Sequence, residues 1–397
     1  MKITSFKINL FEALSVLLIV SISISNAVTN ILFGLLAIVY FYYLRKKKLV
    51  FALNNKTFYL ALLLLIVCSI TTNLIVSHHV VDHKIISRFL YILIIPIILS
   101  NLSKQKIAVG FILATTICIL LALFNIIKYY IEFNNIPLAN DAEVSELLRI
   151  ERPYLGFICV LGVLFSLYLI DKNRLSKLCY LFPFFTFLFV GFIAARLSML
   201  SLIISICFLF LKYKKISVLI KSVTTLVTAG LLILFVFNNK NLYNRFFVNS
   251  DFETIKAYEP RIEIWNCINK ISQSPEFSSI IGLGSNEVAE KKLLSCYEVN
   301  IENISKKEYF LNTKFNTHNQ FLYFYITSGL VGLFLFLFFI FEVFNLTKTT
   351  ISKTLFFVFL SFLIIENVFQ RQLGCVITAI LIAFLVNNQK HKTLNYL

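Results

Sequence analysis

The stretch Ala27 to Lys48, AVTNILFGLLAIVYFYYLRKKK, decides how the chain is read: an apolar run without a charge ends in four consecutive cations, Arg45 to Lys48. A helix of about 20 apolar residues matches the hydrocarbon thickness of a bilayer, and cations at its end mark the cytoplasmic side. The pattern recurs outward from this point. Lys104/Lys106, Lys172/Arg174/Lys177, Lys212/Lys214/Lys215, Lys348/Lys353 and Lys390/Lys392 each follow an apolar run, at every second connection. Upstream, Lys2 and Lys7 precede an apolar run to about Ser25 that has the look of a signal peptide. A second run follows at once and ends in the Arg45–Lys48 stop, so an uncleaved first hairpin is expected.

Composition leads to the same class. Of 397 residues, 58% are hydrophobic and only 14% charged, with a mean hydropathy of +0.83, too apolar for a soluble domain of this size. Sparse Gly (11) and Pro (6) favour long helices, and no short segments of alternating polarity suggest a barrel. The net charge of +17 is no nucleic-acid footprint, because the cations gather at span ends. The expected fold is an all-α polytopic membrane protein of about twelve transmembrane helices, near 8–25, 27–44, 57–77, 86–101, 107–127, 153–170, 178–195, 197–211, 217–237, 317–342, 354–370 and 373–388. An even count puts both termini in the cytoplasm. Residues 1–237 would hold helices 1–9, 238–316 one large periplasmic loop with helices, and 317–397 helices 10–12.

The loop is near neutral, with ten basic and ten acidic residues, unlike the cytoplasmic connections. Within it, Glu259 to Ser274 reads as a helix from the spacing of Ile262, Trp265, Ile268 and Ile271, ending near Ser274-Pro275. Cys267 and Cys296 are the two cysteines of the loop; an oxidising periplasm permits a disulfide between them, and two free thiols are the alternative. The other six cysteines fall in apolar spans as small packing residues. No CxxC or His/Cys ligand spacing points to a metal site.

Three pieces carry chemistry. The first is Arg261-Ile262-Glu263-Ile264-Trp265, followed by Ile281-Gly282-Leu283-Gly284-Ser285-Asn286. The second is Thr317-His318-Asn319-Gln320-Phe321-Leu322, running into Ser328-Gly329-Leu330-Val331-Gly332. The third is Ala195-Arg196-Leu197-Ser198, at an outer helix junction. In these pieces the chain resembles the O-antigen ligase and polymerase superfamily of bacterial envelope glycosyltransferases. The shared features are an Arg-x-x-x-Trp loop helix, a Gly-x-Gly turn, a His-Asn-x-x-Leu helix start followed by Gly-x-x-Gly, and a Ser-Arg junction. The resemblance spans roughly 150–345, and the twelve-span layout extends it to the whole chain. Ala195-Arg196 departs from Ser-Arg by losing a hydroxyl while keeping the charge, and the polar stretch between Gly284 and His318 is long.

The resemblance implies a GT-C-like enzyme of the bacterial inner (cytoplasmic) membrane with its site facing the periplasm. Its donor would be an undecaprenyl-diphosphate glycan and its acceptor the lipid A core, with inversion at the anomeric carbon and no metal or other cofactor. Arg196 and Arg261 would grip the diphosphate and His318 would act as base or orient the acceptor. Arg152, Arg88, Trp265, Asn319 and Glu263 would contact substrate. The chemistry suits these residue types: guanidinium binds phosphate through paired hydrogen bonds, and histidine accepts a proton near neutral pH.

Plainer readings stand beside these. Interfacial arginines such as Arg88, Arg149, Arg152 and Arg371 can snorkel to lipid head groups. His318 can serve as a helix cap with Thr317 and Asn319. Glu263 either orients Arg261 or faces water. His78, His79 and Asp82-His83 read as a solvated turn before a metal cluster, Gly282 and Gly284 as a tight turn, and Gly329 and Gly332 as close helix packing. The nearest functional rival is an O-antigen polymerase using a second lipid-linked glycan as acceptor. The modest 128–152 loop beside 238–316 leans toward ligase. A flippase should carry charges through the middle of several spans, which these spans lack.

Overall fold

In a computed structural model, residues 9–51, 53, 55–77, 83–134, 141–172, 181–212 and 259–387 are described. The helices there are α1 (Leu10–Ser21), α2 (Asn26–Arg45), α3 (Lys56–Thr72), α4 (His83–Leu99), α5 (Lys104–Phe133), α6 (Asp141–Leu148), α7 (Arg152–Asp171), α8 (Leu181–Phe192) and α9 (Arg196–Lys212). They continue with α10 (Pro260–Ser272), α11 (Asn286–Asn300), α12 (Ile304–Thr313), α13 (Gln320–Asn345), α14 (Thr350–Ile365) and α15 (Gln372–Val386). Among the described residues there is no strand, and the fold is that of an all-α membrane protein. Five helices are long and apolar enough to cross a membrane, and six shorter apolar helices accompany them. These eleven fall on eleven of the expected spans. The remaining one, 217–237, lies outside the described residues, as do 238–258 of the loop, His78, His79, Asp82 and the side chain of His83.

The chain divides into two compact units. The first comprises 1–55, 90–202 and 372–397, with α7 at its core. Pro153 starts α7 where a missing N–H costs nothing. Two glycines then let neighbours in: a Cβ on Gly156 would collide with Ser198 at the start of α9, and one on Gly162 with Thr115 of α5. The Phe165 ring packs on Phe111 and Phe384 at centroid separations of 5.0 and 4.9 Å.

The second unit comprises 56–89 and 203–371. Helix α3 runs beside α13, with Phe58 against Phe339 and Thr57 donating to the Glu342 carboxylate at 2.6 Å. Gly329 interrupts α13 with φ 63° and ψ −159°. An interrupted membrane helix needs partners for the backbone groups it frees, and the loop supplies them. Leu283 and Gly284 donate to the carbonyls of Ile326 and Thr327, each at 2.9 Å, while Leu330 and Val331 donate back to Ser279 and Ile280 at 2.8 and 3.2 Å. A Cβ on Gly282 (φ +68°) would lie 2.6 Å from the Gly329 nitrogen. Gly329 therefore admits the loop backbone, correcting the expectation of close helix–helix packing there. Gly282 and Gly284 both have positive φ and form the expected tight turn.

Around this seam the loop has its own core. Ile264, Cys267, Ile268 and Ile271 of α10 meet Leu293, Cys296 and Tyr297 of α11 and Phe310 of α12. The buried face of α10 differs from the one read from spacing: Trp265 is 38% exposed, because Ile264 and Cys267 take the inner positions. Cys267 and Cys296 form a disulfide that ties α10 to α11 across 29 residues. Closing a loop of that length contributes about 3 to 4 kcal/mol in the chain-entropy picture. Replacing both cysteines by serine is expected to lower the loop's stability by about that amount, read as earlier proteolytic cleavage between α10 and α11; unchanged cleavage would contradict it.

Candidate functional site

The candidate site assembles at the end of α14, where an apolar helix stops at Glu366. Its carboxylate is only 5% exposed, and one oxygen, Oε1, faces two of the expected site residues. It accepts from Arg261 Nη2 at 3.2 Å and lies 3.3 Å from His318 Nδ1. Burial works to raise the Glu366 pKa. The bonded His318 ring and the Arg261 and Arg371 guanidiniums more than offset it, leaving the carboxyl below the ordinary glutamate value.

Pro260 at the first turn fixes the start of α10, and Arg261 follows it. Its Nε donates to the Ile365 carbonyl at 3.4 Å and its Nη1 to Glu259 at 2.6 Å, in addition to the Nη2 bond to Glu366. A guanidinium has five N–H donors in a rigid fork, so about two remain for a ligand. The side chain is 25% exposed, so the group is partly open to solvent.

His318 is positioned by its backbone. Its φ is 42°, a left-handed conformation that costs a side-chain-bearing residue about 1 to 2 kcal/mol. Neighbouring bonds hold it there. Its N–H donates to the Asn316 side chain at 3.0 Å, the Trp265 indole N–H donates to the Thr317 carbonyl at 3.2 Å, and Asn367 Nδ2 donates to the Thr317 hydroxyl at 2.7 Å. The Asn319 N–H donates to Asn367 Oδ1 at 3.0 Å. Asn319 is the N-cap of α13, accepting from Phe321 and Leu322 at 2.9 and 3.0 Å. The capping role thus falls to Asn319, and the His318 ring is turned to Glu366 on one side and to the Phe315 ring, 5.6 Å away, on another.

The other expected residues are placed as follows. Glu263 pairs with Lys306 Nζ at 3.0 Å, so it neither orients Arg261 nor simply faces water. Trp265 buttresses the His318 segment through its N–H while leaving part of its ring exposed. Arg88 is half-buried on α4 in the same unit. Arg152, buried at the start of α7, and Arg196, exposed at the start of α9, belong to the first unit. Just before Arg196, Ala194 takes a left-handed φ of 52°, which makes the turn between α8 and α9 tight. Glu259, Glu366 and Asn367 were not among the residues singled out from sequence. An acidic residue closing an apolar run was the available signal, because burying it demands partners.

A separate cleft beside Gly284, Ser285, Asn286, Asn73 and Ser328 has a free volume of about 20 Å³. That admits roughly one water and no sugar ring. Among the described residues no group of three or more His, Cys, Asp or Glu is arranged to hold a metal ion.

Residues 181–337 match the family described as O-antigen ligase. The match includes Arg196, Arg261, the Gly282/Gly284 turn and His318, and it supports the resemblance to the O-antigen ligase and polymerase superfamily. Glu366 lies beyond it. No curated protein matches the chain.

The depressed Glu366 pKa has a definite pH consequence. Its stabilising effect is complete above the ordinary glutamate value of about 4.5 and is lost as pH falls through the lower value in the folded protein. Glu366→Gln is therefore expected to be less stable than the parent at neutral pH and to show a shallower further loss below about pH 4.5, measured by thermal unfolding across pH. Parallel curves would contradict this.

Proposed function

We propose that this protein is an O-antigen ligase, transferring a glycan from undecaprenyl diphosphate to the lipid A core at the periplasmic face of the bacterial inner membrane. The family match indicates ligase- or polymerase-type glycosyltransferase function and lipid-linked glycan substrates. The observation that carries the site assignment is the meeting of Arg261 and His318 on one buried carboxylate oxygen. The loop disulfide agrees with an oxidising compartment on the loop side.

In this reading the acceptor hydroxyl oxygen attacks the anomeric carbon from the face opposite the diphosphate. The new glycosidic bond forms as the carbon–oxygen bond to phosphate breaks, and undecaprenyl diphosphate leaves with the electron pair. His318 takes the hydroxyl proton. The open edge of Arg261 binds the developing negative charge, where one well-placed donor contributes on the order of 3 kcal/mol. The partly exposed Glu259 carboxylate gives way at Nη1 to an incoming phosphate, while buried Glu366 keeps the fork aimed. The roles of Arg196, Arg152 and Arg88 as further phosphate contacts rest on the sequence resemblance. No metal is assigned a part.

The test is transfer by purified protein from undecaprenyl-diphosphate glycan to rough lipopolysaccharide with chelator present. Arg261→Ala and His318→Ala are each expected to reduce it by about 10²-fold or more. Longer lipid-linked glycan without modified lipopolysaccharide would mean polymerase. Full transfer by either variant would overturn the site.

A further inference from the structure

The buried Glu366 carboxylate has no place in the motifs of the sequence, yet it touches both residues assigned to the chemistry. An ionised carboxylate only accepts hydrogen bonds. The ring nitrogen facing it at 3.3 Å, His318 Nδ1, must then carry the hydrogen. That leaves Nε2 with the lone pair. The same Oε1 receives Arg261 Nη2 at 3.2 Å, so one atom sets both the proton position on the imidazole and the angle of the guanidinium.

We propose that Glu366 is the positioning residue of this site: its Oε1 holds His318 as the Nδ1–H tautomer, with Nε2 as the proton acceptor, and locks Arg261 in register beside it. The catalytic consequence rests on the ligase reading above; the tautomer does not. The surroundings support the arrangement. Glu366 is 5% exposed and fixed in place as the residue capping α14, its N–H donating to Phe362 O at 2.9 Å. The next residue, Asn367, bonds the Thr317 hydroxyl and the Asn319 backbone N–H and so ties down the residues on either side of His318. The dipeptide Glu366-Asn367 thus supports the ring through its Nδ1 and through its backbone. Glu259, by contrast, is partly exposed and touches Arg261 without reaching the histidine.

The test uses the full chain in detergent with nitrogen-15 histidine, His78, His79, His83 and His391 replaced by asparagine so that His318 alone reports. At mildly alkaline pH the parent is expected to show a protonated, pyrrole-type Nδ1 and a pyridine-type Nε2. Glu366→Leu, which leaves Nδ1 without its acceptor, is expected to move the proton toward Nε2, and Glu366→Asp to leave it on Nδ1. An Nε2–H tautomer in the parent, or a tautomer unmoved by Glu366→Leu, would overturn the proposal. In the transfer assay, Glu366→Leu is expected to lower turnover by about 10²-fold or more, with a much smaller change in donor KM. Glu366→Asp is expected to recover a substantial part of it. Near-parent turnover in Glu366→Leu, with Arg261→Ala and His318→Ala inactive, would sink the positioning role and leave the site intact. Full activity in the latter two would instead sink the ligase site, whatever the tautomer.

Discussion

A carboxylate sunk at the end of an apolar helix must be paired, and Glu366 is paired with Arg261 and the His318 ring. Removing a buried charge's partners is far costlier than the pair's own net contribution, because the desolvated charge is left behind. That asymmetry makes the cluster all-or-none. Arg261 comes from the loop helix α10, His318 from the start of α13 and Glu366 from the end of α14. Three elements far apart in sequence thus meet at one oxygen atom, with the Asn367 side chain bonded to the start of α13 beside it.

The rest of the second unit serves to bring α10 to that point. The break at Gly329 exposes backbone groups in α13, and the Ser278–Gly284 stretch satisfies them by docking its own backbone. Both sides of the seam need glycine, since a side chain on either would strike backbone. From there the disulfide and the small apolar core fix α10 against α11. The loop is therefore a built platform anchored in a helix break, and His318's left-handed backbone is affordable because three neighbours over-determine it.

The class of fold was legible because bilayer thickness and charge asymmetry act on every span alike. Arg45–Lys48 and its recurrences, together with long uncharged runs, placed apolar helices with little help from tertiary detail. The loop helix at Pro260–Ser272 was legible for the same reason, from spacing and a bounding proline. Its inner face was not, because Ile264 and Cys267 take the inner positions in place of Trp265. The site was half legible. Arg261 and His318 stand in motifs, but Glu366 and Asn367 lie outside them, and their effect depends on where the end of α14 falls. Gly329 looked like a packing glycine since sequence shows only that no side chain is tolerated, not what approaches.

The central claim is that Arg261 and His318 act as one unit. The direct measurement is a double-mutant cycle on transfer rate, comparing Arg261→Ala, His318→Ala and the double variant. Groups serving one transition state are strongly non-additive. The double variant is therefore predicted to be no more than about 3-fold slower than the worse single variant, whereas losses that simply multiply would contradict a shared site.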